Sequence, residues 1–218
     1  MQLKIIQDTL SFISKNGYEK DSSKFLKSTA VFLAELFGVN YVIIDKFSLK
    51  TPTITESIIF YSKGKILPNI PYKLENTPCQ NVINNKVCSY PTNVSDIFPK
   101  DDFLAQNNIE SYIGIPLWSS SKGPIGLIAI MDDKPKSVKE IDTITTVLEI
   151  IAIKVEKVLE KMLLEDQLNL KIEELKIAKL QKSLLKKEKK NLKQITKNSL
   201  LQLNKAPIPL LLPIFMGT

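Results

Sequence analysis

SYIGIPLWSSSKGPIGLIAIMDDKP, residues 111–135, decides the fold of this chain. Two apolar runs, 112–118 and 125–131, flank a Ser-Ser-Ser-Lys-Gly-Pro segment. Because Gly and Pro interrupt strand pairing, this pattern predicts a β-hairpin. From about residue 138 to residue 197 the apolar positions switch to helical spacing, and no Pro or Gly interrupts them. The sequence therefore predicts a sheet-containing domain that continues into one long helix.

The residues before the hairpin alternate between helical and strand patterns. Helices are predicted at 2–16 and at 22–37, the second with Ser22 or Ser23 as N-cap and Gly38 after its last turn. Further along come strands at 40–48 and 55–61, a helix at 78–84, an extended piece at 87–90, a turn at 96–99 and a helix ending near 107. Asp101 or Asp102 is the predicted cap of that last helix. This order predicts an α+β fold, in which helices flank an antiparallel sheet.

Two residue types are missing, and their absence excludes several functions. The 218 residues include no His, and all 30 basic residues are Lys. The absence of His excludes catalytic pairs that use His and haem or zinc sites bound through His. The absence of Arg excludes guanidinium clamps. No apolar run is long enough to span a bilayer, and Gln7, Asp8 and Ser11 interrupt the N-terminal pattern. We therefore expect no membrane span, no signal peptide and a cytoplasmic location.

The long helical pattern carries most of the positive charge. The net charge is +7, and the lysine excess is concentrated between 171 and 197. Aromatic residues do not alternate with these lysines, so binding to nucleic acid is disfavoured against a solvated helix face. An apolar series at three- and four-residue steps is typical of a coiled coil and predicts a homodimer through residues 141–195. Its members are Ile141, Ile144, Leu148, Ile151, Val155, Val158 and Met162, and then Leu163, Leu170, Ile177 and Leu184.

Three segments resemble a GAF domain. They are YKLENTPCQNVI at 72–83, YPTNVSDIFPKDDFL at 90–104, and the hairpin segment at 111–135. The resemblance implies an N-terminal helix at 1–19, a GAF-like sensor domain at 20–160 and a signalling helix at 138–197. The tail at 198–218 is similar to the opening of a PAS domain, because its APIPLLL stretch follows a helix with a Lys-Gln-Ile ending. The chain would then be part of a longer sensor protein, and a disordered tail is the other interpretation.

The resemblance implies a regulatory function. A GAF module binds a small molecule and relays its presence through the dimeric helix to a partner or to an output domain outside this sequence. The ligand and any cofactor stay unidentified. A constitutive dimerisation scaffold without a ligand is the alternative. An enzyme, for instance a thiol-based reductase, is disfavoured because two cysteines without His or Arg supply too little chemistry.

Six residues are candidates for ligand binding. Tyr90, Phe98, Phe103 and Tyr112 lie in the region that lines the ligand cavity of GAF domains, although they would also serve as core residues. Cys79 begins a predicted helix, where the thiol pKa is lowered, or else it is a small buried side chain. Asp132 follows the second hairpin strand, where it would orient a ligand or hold a turn. Cys79 and Cys88 provide too few ligands for structural zinc, and we expect no metal.

Overall fold

The computed structural model describes residues 2–47, 54–84, 87–120 and 123–203. Contacts divide the chain into two compact units, Met1–Leu164 and Glu165–Thr218. The described helices are α1 Gln2–Asn16, α2 Ser22–Phe37, α3 Pro78–Asn84, α4 Val94–Ile97, α5 Asp102–Gln106 and α6 Val138–Leu203. The described strands are β1 Tyr41–Phe47, β2 Ile54–Ser62, β3 Lys65–Leu67, β4 Pro71–Lys73, β5 Cys88–Tyr90, β6 Ser111–Ser119 and β7 Gly123–Asp132.

One antiparallel sheet forms the centre of the first unit. The strand order is β3-β2-β1-β7-β6-β5, and β4 also pairs with β2. The predicted hairpin is confirmed as β6 and β7, which pair from Ser111–Asp132 to Ser119–Gly123. Gly126 lets β7 approach β1, because a Cβ there would lie 2.1 Å from the carbonyl oxygen of Asp45. The predicted α+β fold, with helices around an antiparallel sheet, is confirmed.

Local signals explain most of the helix boundaries. Asp21, one residue before the predicted Ser22, is the N-cap of α2, and its carboxylate accepts a hydrogen bond from Lys24 N. Gly38 ends α2 in the left-handed conformation (φ 60°), as predicted. The predicted turn at 96–99 is wrong in part, because Val94–Ile97 is a short helix. The strands β3 and β4 were not predicted.

The two faces of the sheet carry separate hydrophobic clusters. Alternate residues of β1 point to opposite faces, so Val42 and Ile44 join the first cluster while Tyr41 and Ile43 join the second. Helices α2 and α6 cover the first face, where residues such as Leu26, Leu33 and Leu148 are fully buried. The second face is covered by α3, α5 and the segments beside them. The candidate site lies on this second face.

Over the first half of α6, the apolar series packs against the sheet of its own chain and not against the predicted second helix. Ile144, Leu148, Ile151 and Val155 are buried against the sheet of their own chain. These side chains are therefore not available to a second helix. Between residues 165 and 203 the second unit is a single helix, and its large apolar side chains are exposed as far as Leu200. Its exposed apolar residues are Leu168, Leu170, Ile172, Leu175, Ile177, Leu180, Leu184, Leu185, Leu192, Ile195 and Leu200.

Helix α6 continues to Leu203, beyond the predicted end at 197. The PAS-like APIPLLL stretch lies outside the described residues. Across the described ranges, no helix combines the length and the apolarity that crossing a membrane requires.

Candidate functional site

A cavity of about 380 Å³ lies on the second face of the sheet. Its floor is formed by side chains of the strands, among them Ile43, Phe60, Tyr112 and Met131. Its remaining walls come from the segment 70–79 and from the segment 100–104. A volume of this size falls within the range of small-molecule pockets, which runs from roughly 300 to 1,000 Å³.

The two wall segments are held in place by local hydrogen bonds. Thr77 Oγ1 donates to the carbonyl oxygen of Leu74 at 2.7 Å, and α3 then begins at Pro78. Asp101 is the N-cap of α5, and its Oδ1 accepts from Phe103 N at 3.2 Å and from Leu104 N at 3.4 Å. This cap orients Phe103, which therefore lines the cavity.

Aromatic rings form a large part of the cavity wall. Phe103 meets Phe60 at 5.4 Å between ring centroids with an interplanar angle of 68°, and it meets the buried ring of Tyr41 at 5.4 Å and 87°. Such edge-to-face pairs fix ring positions more firmly than apolar burial alone. Tyr72 and Tyr112 bring two further rings to the wall.

Four polar side chains form a connected chain at the cavity wall, in which Tyr72, Cys79 and Tyr112 line the cavity and Asp45 lies behind Tyr72. The hydroxyl of Tyr72 donates a hydrogen bond to Oδ2 of Asp45. Cys79 Sγ lies 3.4 Å from Tyr72 Oη and 3.3 Å from Tyr112 Oη. Asp45 is 0% exposed, and its Oδ1 has no hydrogen-bond partner among the described residues. A buried acceptor without a donor costs free energy, so this carboxyl is a site of strain in the fold.

Burial controls the protonation of these groups. Burial raises the pKa of the Asp45 carboxyl to about 7, and the hydrogen bond from Tyr72 opposes that rise only in part. Burial, followed by the nearby charge of Asp45, raises the pKa of the Cys79 thiol to about 12. Burial also holds the pKa values of the Tyr72 and Tyr112 hydroxyls well above 10.0. The thiol is therefore protonated at neutral pH, and Cys79 is the small buried side chain of the second interpretation rather than a thiol with a lowered pKa.

The predicted site residues separate into two groups. Cys79, Phe103 and Tyr112 line the cavity. The ring of Tyr90 packs edge-on against Phe98 at 5.1 Å, outside the cavity lining.

Tyr90 and Asp132 are both held by other parts of the fold. Asn81 Nδ2 donates to Tyr90 Oη at 2.8 Å. Asp132 also lies outside the lining: its Oδ1 accepts from Asn40 N at 3.2 Å, and its Oδ2 pairs with Lys136 Nζ at 2.5 Å. This buried ion pair fixes the end of β7 and the segment that leads into α6.

Sequence reasoning missed Asp45 and Tyr72. Asp45 had a usable signal, because it is an acidic residue inside the apolar strand YVIIDKF and shares a face with Tyr41 and Ile43. Tyr72 begins the GAF-like segment at 72–83, but it was not singled out, because the three-residue strand that carries it was not predicted. Within the described ranges, no cluster of three or more potential metal ligands occurs.

Comparison with solved structures identifies the fold. The GAF domain of A. aeolicus nlh2 in an inactive state superposes with a TM-score of 0.55 at 14% identity, covering 74% of this chain and 96% of that one. The phycoerythrobilin-bound GAF domain of a cyanobacterial phytochrome gives 0.53 at 15% identity, covering 76% and 98%. The R. palustris bacteriophytochrome RpBphP3 gives 0.55 at 10% identity, covering 78% of this chain but only 41% of that chain.

Sequence comparisons give no such match. No protein-family model matches the chain, and no curated protein matches it. These structural neighbours cover about three quarters of this chain, whose first unit is an antiparallel sheet flanked by helices. This chain therefore contains a domain with the GAF fold.

Proposed function

We propose that the first unit is a regulatory module that binds a small molecule in the cavity of about 380 Å³. The cavity carries this proposal, because its apolar and aromatic walls with a few polar groups are typical of ligand pockets. The bilin bound by a structural neighbour supports a small-molecule ligand as a class. In this proposal the ligand is bound noncovalently, because Cys79 is buried and burial raises the pKa of its thiol to about 12.

The relay from the cavity to α6 runs through β6 in this proposal. Tyr112 of β6 lines the cavity, and the far end of the same strand is tied to α6. Glu156 Oε1 accepts from Trp118 N at 2.9 Å, and Glu160 Oε1 accepts from Ser120 N at 2.9 Å. A ligand that displaces β6 would therefore displace the helix, whose two positions bias a downstream partner or output domain.

The second unit supports the proposed homodimer. We place the dimer contact on the exposed apolar side chains that follow Leu164, because the earlier ones are buried in their own domain. A lone helix with so many exposed leucines buries them by pairing with a second copy. Light scattering at micromolar concentration is expected to show a dimer for the wild type and for Ser183→Asp, and a monomer for Leu184→Asp. A monomeric wild type would contradict the dimer.

The module acts without catalysis in this proposal. The cavity holds no activated nucleophile, because its thiol is protonated, and the chain supplies neither His nor Arg. We also propose a cytoplasmic location, since Cys79 and Cys88 are both buried thiols, as is usual for proteins in a reducing compartment.

The test is a melting experiment with a panel of metabolites on the wild type and two variants. Ile70→Trp narrows the cavity, because Ile70 lines it and is 44% exposed. Ile66→Trp is the matched control, because Ile66 is 37% exposed and lies outside the lining. A ligand at 100 times its Kd is expected to raise the melting temperature by about 5–10 °C in the wild type and the control, and by much less in Ile70→Trp. If no compound changes the wild-type melting temperature, the ligand-free scaffold is the better description.

A further inference from the structure

We infer that the cavity takes an organic cation, a molecule whose ammonium group is held among aromatic rings and carboxylates. The inference names the ligand class of the proposed sensor, and it rests on that proposed function. Two independent features of the wall carry it, its aromatic rings and the position of its charges.

The rings provide the first feature. Phe60, Tyr72, Phe103 and Tyr112 all line the cavity. The face of an aromatic ring is negative, so several rings around one space attract a cation, most strongly where water is excluded. The edge-to-face contact between Phe60 and Phe103, at 5.4 Å, turns these two rings in different directions. A ring attracts an ammonium group at its face and not at its positive edge, so the cation is held by those rings whose faces border the cavity.

The burial of the charged groups provides the second feature. The lysines of the lining, Lys73 and Lys100, are both exposed, so solvent and salt screen their charges. Asp101 is the partly buried charged group of the lining, and Asp45 is fully buried directly behind Tyr72. Groups in a low-dielectric setting act more strongly than exposed ones, so an ionised Asp101 makes the interior field negative, and Asp45 adds to it above about pH 7, where its carboxyl is ionised.

The chain also lacks the groups that bind anions well. Neither Arg nor His occurs in it, so no guanidinium can grip a phosphate or a carboxylate in bidentate fashion. An anionic ligand would meet Asp101 and Asp45 without a buried counter-ion. An ammonium group would instead stabilise the ionised form of Asp45, whose Oδ1 has no donor among the described residues.

The test uses three probes of one shape and three charges: choline, 3,3-dimethylbutan-1-ol and 3,3-dimethylbutanoate. Calorimetric titration of the full chain measures each dissociation constant. Choline is expected to bind at least about tenfold more tightly than the uncharged alcohol, as a cation enclosed by rings does. The anion is expected to bind least.

Two phenylalanine variants assign the preference to the cavity. Phe103→Leu removes a ring of the wall and keeps an apolar side chain, and the advantage of choline over the alcohol should fall severalfold. Phe98→Leu removes a ring outside the lining and should leave that advantage unchanged. The comparison of probes on the wild type stands even if Phe103→Leu does not fold.

Each contrary result has a defined meaning. If the alcohol or the anion binds the wild type as tightly as choline, the cation preference is overturned and the cavity remains a small-molecule site. If none of the three probes binds, the inference is overturned as well. The melting experiment with the metabolite panel then decides the proposed function separately.

Discussion

Replacement of Asp45 by Asn is expected to make the protein more stable above neutral pH. Asp45 lies on β1, is fully buried, and receives a hydrogen bond at only one of its two carboxyl oxygens among the described residues. Asn keeps an oxygen that can accept the hydrogen bond from the Tyr72 hydroxyl, and it carries no charge at any pH. The substitution therefore removes the cost of ionisation and preserves the shape of the site.

The magnitude follows from the pKa of the Asp45 carboxyl. Burial raises this pKa from 3.8 to about 7 in the folded state. The unfolded chain therefore releases this proton at lower pH than the folded protein does. The stability that the protonated Asp45 carboxyl contributes is fully present below its pKa in the unfolded chain. It is lost as the pH rises through its pKa in the folded protein. At 1.36 kcal/mol for each pKa unit, the loss amounts to about 4 kcal/mol between pH 4 and pH 8.

Urea unfolding of the wild type and Asp45→Asn at several pH values from 4.5 to 8 measures this loss. The free energy of unfolding of the variant, minus that of the wild type, should rise by about 3 kcal/mol between pH 4.5 and pH 8. Asp142→Asn, on the exposed side of α6, is the matched control and should give a flat difference. If the difference in unfolding free energy for Asp45→Asn is also independent of pH, the Asp45 carboxyl is not desolvated in the folded protein. Burial then does not raise its pKa.

Three further substitutions or reactions test the surrounding fold. Gly126→Ala should destabilise the protein by about 3 kcal/mol in urea unfolding, because the new Cβ would meet the backbone oxygen of Asp45; an unchanged midpoint would contradict the close approach. Asp101→Ala should cost about 1 kcal/mol through loss of the α5 cap, and more than Asp102→Ala, and equal costs would argue against the cap. Cys79 should react with a thiol reagent at pH 8 much more slowly in native protein than in 6 M guanidinium, and equal rates would contradict its burial.

The strong local signals of the chain predicted most of the fold. Gly and Pro favour particular turns and helix ends, and they mark three of the predicted features. These are the hairpin at 111–135, the start of α3 at Pro78 and the end of α2 at Gly38. Strands β3 and β4 have three residues each and were missed, because so short a run shows no periodicity. Lys63 and Gly64, which both have a positive φ, form the turn between β2 and β3.

The apolar series on α6 shows a second limit of sequence reasoning. A stripe at three- and four-residue spacing must be buried, but the pattern does not say against which surface. The sheet of the same chain covers Ile144, Leu148 and Val155, while Leu180 and Leu184 stay exposed. The same spacing therefore belongs to core packing in one part of the helix and to a proposed dimer in the other.

The candidate site was predictable only where its residues belong to predicted elements. Cys79, Phe103 and Tyr112 come from segments recognised in the sequence, and all three line the cavity. Asp45 and Tyr72 meet through contacts between β1 and an unpredicted strand, 27 residues apart in the chain. A pair of this kind depends on tertiary packing, which no local pattern encodes.

Native mass spectrometry would show directly whether the cavity binds a small molecule. The protein is incubated with a metabolite extract of the cells that express it, and its mass is measured under conditions that preserve noncovalent complexes. The account predicts one reproducible small-molecule adduct on the wild type and on Ile66→Trp, and its loss from Ile70→Trp. A wild-type protein without any adduct, or an adduct retained equally by Ile70→Trp, would contradict a ligand in this cavity.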